Sequence, residues 1–254
     1  LYAKRWQDAY DAANNVIALK LYGLTDKYED AWKGNNKEAI LEFDYDAANG
    51  PNHLFDRYYV PQCDGYDNGS TGTPTQEMVE CYESKNGEKI DRSNSSQLAK
   101  GALPLKYGMD PDMKDGQSGI DVVIYRYADV LLTLAECINR NEGSPTTEAI
   151  GLVNRVRKRA GLSELDDAQT ASGEAFNEAI LLERGHEFYL EGLRRQDLIR
   201  FGKYVEYANN RIDAINKSEG RGYFNVHEGH NRFWIPQSFI DESKGAIKQN
   251  DYDR

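Results

Sequence analysis

Three groups of side chains in this 254-residue sequence have types and spacings that could do chemistry. Glu42, Asp44 and Asp46 alternate with Leu41, Phe43 and Tyr45, so a strand here puts three carboxylates on one face. Paired carboxylates are what glycoside hydrolysis needs, one as acid and the other as nucleophile or base. The wet face of an amphipathic strand accounts for the same three acids without any reaction. Glu183, Glu187 and Glu191 recur every four residues, which predicts one helix face, with Arg184, Arg194, Arg195, Asp197 and Arg200 close by. Acids surrounded by arginines on helices read as an ion-pair network that ties helices together.

The third group lies in an aperiodic stretch over 52–74. Tyr58, Tyr59 and Tyr66, with Phe55, stand among Arg57, Asp64, Asn68 and other polar residues. Flat rings of this kind stack on the apolar faces of sugars while amides, carboxylates and guanidinium groups read hydroxyls. The same tyrosines could instead pack the base of their own loop, and both readings stand at this point. Long irregular stretches inside compact proteins tend to carry function.

Other chemistry is weakly represented. His227 and His230 flank Glu228 without a third ligand or an HExxH spacing, so they read as surface histidines and no metal is expected. Asp64, Asp67, Asn68 and Gly69 do not follow the alternation of a calcium loop. His186 and Cys137 read as packing residues within helices, whereas Cys63 and Cys81 could pair across the loop. Gly220-Arg221-Gly222 lacks the third glycine of a dinucleotide fingerprint, so no cofactor is implied.

The elements that must position these groups are mostly helical. Trp6, Ala9, Tyr10, Ala13, Val16 and Ile17 predict an amphipathic helix over 2–19, followed by a short one after a Thr25 cap carrying Tyr28 and Trp32. A half-exposed strand over 41–46 is expected to turn Leu41, Phe43 and Tyr45 inward. Helix returns at 75–84. From Tyr125 the pattern strengthens: one helix runs through Tyr127, Leu131, Leu134 and Ile138. A second runs from Glu148 to Ala160 with Gly161 as its cap, and a third from Glu174 to Leu190. Leu193 to Tyr207 reads as a fourth, and 231–236 as extended. The basic run Arg155, Arg157, Lys158 and Arg159 complements the helix dipole at the end of the second.

Composition narrows the function classes. The formal net charge is −11, with 13 basic against 21 acidic residues in 1–124 and 18 against 21 in 125–254. That balance argues against a nucleic-acid partner. No apolar run approaches the roughly 18 residues of a membrane span. Tyrosine, at 17 residues, outnumbers phenylalanine and tryptophan together, at 8 and 3.

Several short stretches, in order, resemble the SusD/RagB-like nutrient-binding lipoproteins. They are Tyr125-Arg126-Tyr127-Ala128-Asp129 through Ala135-Glu136; Val153-Asn154 with Arg157 to Gly161; and Glu183-Arg184, Glu187-Phe188, Glu191 to Arg194, Asp197-Leu198 and Arg200. Ile235-Pro236 leading to Gln249-Asn250 and Tyr252 completes the set. Pro74-Thr75, Met78-Val79 and Tyr82, and the opening Ala9 to Tyr28 stretch, fit the same family. Arg195 stands where that family usually carries tryptophan, and 85–120 is shorter than its pattern.

The resemblance implies a mainly α, SusD-like helical fold. In that reading 1–33 closes a tetratricopeptide-like helical region, 34–124 is loop-rich with a short strand, and 125–254 is a C-terminal helical framework. It implies a non-catalytic protein of the outer-membrane surface, held by an N-terminal lipid anchor outside this sequence. Its role would be to capture a glycan, or in some members a peptide, for a partner TonB-dependent transporter of the SusC type. The acid excess favours a neutral glycan. The rivals are a glycosidase on Glu42, Asp44 and Asp46, and a helical scaffold that grips only another protein.

Overall fold

The computed structural model describes residues 1–54, 74, 76–82, 106–108, 110–113 and 117–250. The chain divides into two units, Leu1–Gly192 and Leu193–Arg254. In the first, α1 (Trp6–Ala18) packs on the central helix α3 (Tyr127–Glu142), which also carries α4 (Thr147–Arg159) and α5 (Gly173–Glu187). The short α2 (Gln76–Cys81) lies against α5. Strands β1 (Ala39–Phe43) and β2 (Val122–Arg126) form a two-stranded antiparallel sheet, and β2 runs without a break into α3.

Helix α3 is the core because it is enclosed on most sides: Ala128, Leu131, Leu132, Leu134, Ala135 and Cys137 are buried, and so are Glu136 and Asn139. Ala9 and Ala13 let α1 approach it closely, and Val153, Val156, Phe176 and Ile180 close the other sides. The helix starts and stops follow local chemistry. Thr146 and Ser172 cap α4 and α5 by accepting from the backbone N–H of Ala149 and Ala175, each at 3.1 Å. Helix α3 ends on Gly143 in the left-handed region, at φ +73°. Burial of Cys137 agrees with its reading as a packing residue.

Several expected boundaries move. Helix α1 is bracketed by Lys4 and Lys20, both at positive φ, and so is shorter than 2–19. The element after it is a 3-10 turn, Tyr28–Trp32, capped at Lys27; Thr25 instead donates its N–H and hydroxyl to Glu38. Helix α5 stops at Glu187, and Leu190 sits in a turn at φ +65°, so neither Leu190 nor Glu191 belongs to the helix face expected for it. The strand is corrected most sharply. Leu41 and Phe43 point outward, 46% and 57% exposed, while Glu42 is half-buried. Register shifts between Ala39 and Leu41, and again between Leu41 and Glu42, break the simple alternation that the inward reading assumed.

In the second unit the single helix expected over 193–207 is two, α6 (Arg194–Arg200) and α7 (Tyr204–Glu219), separated at Gly202, φ +72°. Extended segments there pair with side-chain amides rather than with strands. Asn209 and Asn216, two turns apart on α7, exchange hydrogen bonds with the backbone of Val226 and Tyr223 at 2.7–3.0 Å. Gln249 does the same for Ile235, and Asn250 donates to the Phe233 carbonyl. His227 and His230 cap the 3-10 turn Glu228–Asn231 reciprocally, and α8 (Gln237–Glu242) follows.

Two glycines separate backbone demand from helix propensity. A Cβ on Gly173 would lie 2.6 Å from the Gly143 carbonyl oxygen, whereas one on Gly151 in α4 meets nothing within 4 Å. Urea unfolding should therefore show Gly173→Ala destabilised by about 1–3 kcal/mol. Gly151→Ala should be stabilised by about 0.5–1 kcal/mol.

Candidate functional site

A helix that stops inside a protein leaves its last carbonyls without intrahelical partners. At the end of α5 these carbonyls are met by side chains from distant parts of the chain. Tyr82 donates its hydroxyl to the His186 carbonyl at 3.1 Å, Tyr28 to that of Glu187 at 2.9 Å, and Tyr107 to that of Leu190 at 3.2 Å. Lys106 adds its ammonium to the carbonyls of Glu187, at 3.0 Å, and Tyr189, at 2.7 Å. Positive charge belongs at this end of a helix dipole.

Arg126, the last residue of β2, completes the arrangement. Its Nε donates to Glu191 at 2.8 Å, Nη1 to Glu38 at 2.8 Å and to the Glu187 carboxylate, and Nη2 to Glu191 at 2.7 Å and the Glu187 carbonyl at 2.6 Å. All five guanidinium N–H groups are thereby used. Arg159 bridges Glu38, at 2.9 Å, and Glu187, and the third ammonium donor of Lys106 goes to Glu191. Three cations and three carboxylates thus balance within one buried cluster. The rings of Trp32 and Phe188 lie 5.2 and 4.7 Å from the Arg126 guanidinium carbon. Burial pushes Glu187 upward, but Arg126 and Arg159 outweigh it and hold the carboxyl below its ordinary value. Burial lowers Lys106 to about 8, against the opposing pull of Glu191.

Of the residues expected to form an ion-pair network, Glu187 and Glu191 lie in this cluster. Glu183 pairs with Arg157 at 3.0 Å, and Arg184 with Asp129 at 2.7 Å. In the second unit Asp197 and Arg200 pair at 2.6 Å, while the Arg194 guanidinium lies 5.5 Å from the Tyr207 ring. Arg126, Glu38 and Lys106 were not signalled by spacing. Arg157 and Arg159 are buried ion-pair partners, where the sequence suggested charges serving only a helix dipole. His186 stacks on Tyr82, ring centroids 4.6 Å apart, as a packing residue should.

The cluster anchors the chain on either side of 83–105. Tyr82 and Lys106 enclose 83–105, and both bond carbonyls at the end of α5. Upstream of 55–73, His53 bridges Ser118 through paired backbone bonds of 2.8 and 3.1 Å and engages the Ile120 carbonyl through its ring. The aromatic and polar candidates Tyr58, Tyr59, Tyr66, Asp64, Asn68 and Arg57 lie outside the described residues, as does Cys63. Among the described residues, Phe224, Phe233 and Trp234 are exposed aromatic side chains of the second unit; the Phe233 ring lies 4.1 Å from the Arg195 guanidinium carbon.

The strand carboxylates do not stay together. Asp46 caps a turn by accepting from the backbone N–H of Ala48 at 2.8 Å and Asn49 at 3.0 Å, which holds its carboxyl below the usual range. Glu42 and Asp44 instead gather with Asp121, carboxylate oxygens within 4.8 Å of one another. Burial raises Glu42, and Asp121 and Asp44 add to the rise against a backbone hydrogen bond from Asn35. Such oxygens are of the kind that hard cations take. Asp44 is open to solvent, however, and Asp121 already accepts the Tyr45 N–H at 2.9 Å.

Removing Arg126 leaves three buried carboxylates short of their counter-charge, so Arg126→Met should cost about 3–5 kcal/mol of stability. Arg126→Lys should recover little, because an ammonium offers three donors where five are used. Glu187 has a depressed pKa in the folded state. Its contribution is therefore present above its unfolded value of 4.5 and lost as the pH falls below it. Thermal unfolding across acid pH should fall less steeply in Glu187→Gln than in the wild type.

Comparison with known proteins places this frame. Residues 101–252, more than half of the chain, match the model of the SusD family. Over 149 residues the chain is 32% identical to the starch-binding protein SusD of Bacteroides thetaiotaomicron, covering 59% of this chain and 23% of SusD. It is 30% identical over 152 residues to a SusD-like protein of Bacteroides ovatus, covering 50% and 26% of the two. The fold matches surface glycan-binding protein A from Bacteroides thetaiotaomicron with a TM-score of 0.72 at 24% identity, over 98% of this chain and 59% of that one. The same protein in complex with laminarihexaose matches with a TM-score of 0.67 at 24% identity, over 98% and 60%. The chain spans about three fifths of these solved structures, and the aligned stretch covers about a quarter of the curated relatives. On the span of the family model, the chain belongs to the SusD family.

Proposed function

We propose that this chain is part of a non-catalytic, surface-exposed glycan-binding protein of the outer membrane that delivers its ligand to a SusC-like TonB-dependent transporter. The observation that carries the reading is family membership joined to a relative, 32% identical over 149 residues, whose name is starch-binding protein. Binding rests on ring stacking by Tyr58, Tyr59 and Tyr66, with Asp64, Asn68 and Arg57 reading hydroxyls. The acid excess of the first half favours a neutral glycan over an anionic one. The buried cluster at the end of α5 has no part in contacting ligand; it anchors Tyr82 and Lys106 on either side of 83–105. Polar, wet sites of this type bind weakly enough to release their ligand to a transporter.

Native gels containing starch or laminarin test the reading. The full chain should be retarded in at least one of them. Tyr58→Ala, Tyr59→Ala and Tyr66→Ala together should remove the retardation while leaving thermal unfolding unchanged. Wild-type retardation in the triple variant would refute the site assignment. Turnover of the polysaccharide that disappears in Glu42→Gln would support a glycosidase instead.

A further inference from the structure

The first turn of α1, the last of α3 and the first of α4 meet around a cleft of about 540 Å³. That volume is within the range of small-molecule sites. Tyr10 of α1 and Ile138 of α3 supply its apolar lining, and Gln7, Asn141, Glu142 and Glu148 its polar lining. Ile138 is buried and Tyr10 half-buried, while the four polar side chains are exposed at the mouth.

Contacts between α1 and α3 hold the walls in place. Asn141 donates to the Gln7 side-chain oxygen at 3.4 Å, linking α3 to α1, and Gln7 in turn donates to Asp11 at 2.9 Å. The Arg140 guanidinium carbon lies 5.3 Å from the Trp6 ring centre, stacking the same two helices together. Thr146 caps α4, and the first N–H groups of a helix have no partners within it. The described lining contains no lysine or arginine but does contain two carboxylates.

We infer that this cleft is a second saccharide site, separate from the 52–74 segment, for one or two neutral sugar rings. The half-buried Tyr10 ring offers the apolar surface that a sugar's C–H face needs, with Ile138 packed beneath the cleft. Amide and carboxylate groups at the mouth hydrogen-bond adjacent hydroxyls. Glu142 and Glu148 repel uronic or sulfated sugars. The inference rests on the glycan-binding reading and adds a site to it.

The test is a titration of the isotope-labelled full chain with maltose, laminaribiose and, as an anionic control, glucuronate, read by amide chemical shifts. A neutral disaccharide should shift Tyr10, Ile138, Asn141 and Thr147, and Asn141→Ala with Glu142→Gln should weaken that binding about tenfold or more. Both replaced side chains are exposed, so unchanged thermal unfolding checks that the variant is folded. Shifts confined to other residues, or an unaffected affinity in the double variant, would overturn the cleft. So would binding of glucuronate as tight as that of the disaccharides. Retardation by starch or laminarin alongside a silent cleft would leave the broader reading standing. A titrating cleft without retardation in any polysaccharide gel would uphold the cleft and refute polysaccharide capture by 52–74.

Discussion

The end of α5 is the constraint on which the first unit depends. A helix terminus buried with empty carbonyls is costly. A buried ion without a partner costs several kcal/mol. The protein meets both demands in one place. Three tyrosine hydroxyls, a lysine and an arginine cover the carbonyls of His186, Glu187, Tyr189 and Leu190, and three carboxylates neutralise three cations. Replacing such a cluster by apolar residues can be neutral or stabilising, so its value lies less in net stability than in specifying which segments meet. It joins Glu38 before β1, Lys106 after 83–105, Arg126 at the head of α3, Arg159 at the end of α4, and the exit of α5.

The arrangement also gives part of the tyrosine excess a cause. Tyr28 and Tyr82 each place a hydroxyl on a carbonyl of the last α5 residues, and Tyr107 on that of Leu190 in the turn beyond. Tyr28 and Tyr107 pack edge-on against Trp32, whose ring lies 4.7 Å from the Lys106 ammonium. Phenylalanine would supply the ring without the donor. Tyrosines of this structural kind are distinct from those of 52–74, to which the proposed function assigns ligand contact.

What could be read from the sequence was local. The 3.6-residue period marked α1, α3, α4 and α5, and Gly161, read as the cap of α4, follows that helix in the left-handed region at φ +78°. Long-range pairing was not legible. Arg126 meets Glu38 across 88 residues and Arg159 meets Glu38 across 121, distances over which no spacing rule operates. For the same reason Arg157 and Arg159 resembled surface charges on a helix end, although they turn inward. The strand misled because alternation assumes an unbroken register, and two register shifts put Leu41 and Phe43 in solvent. Gln249 and Asn250 carried family resemblance without a visible purpose; their amides hold the segment from Phe233 to Ile235 in place of a neighbouring strand. The candidate ligand residues were legible only through composition.

The central claim is that the cluster at the end of α5 acts as one unit rather than as a set of independent pairs. A double-mutant cycle of Arg126→Met and Glu187→Gln, measured by urea unfolding, tests it most directly. Residues of one buried network should be coupled, so the double variant should differ from the sum of the single variants by about 1 kcal/mol or more. Additivity within about 0.5 kcal/mol would show independent contacts and contradict the account.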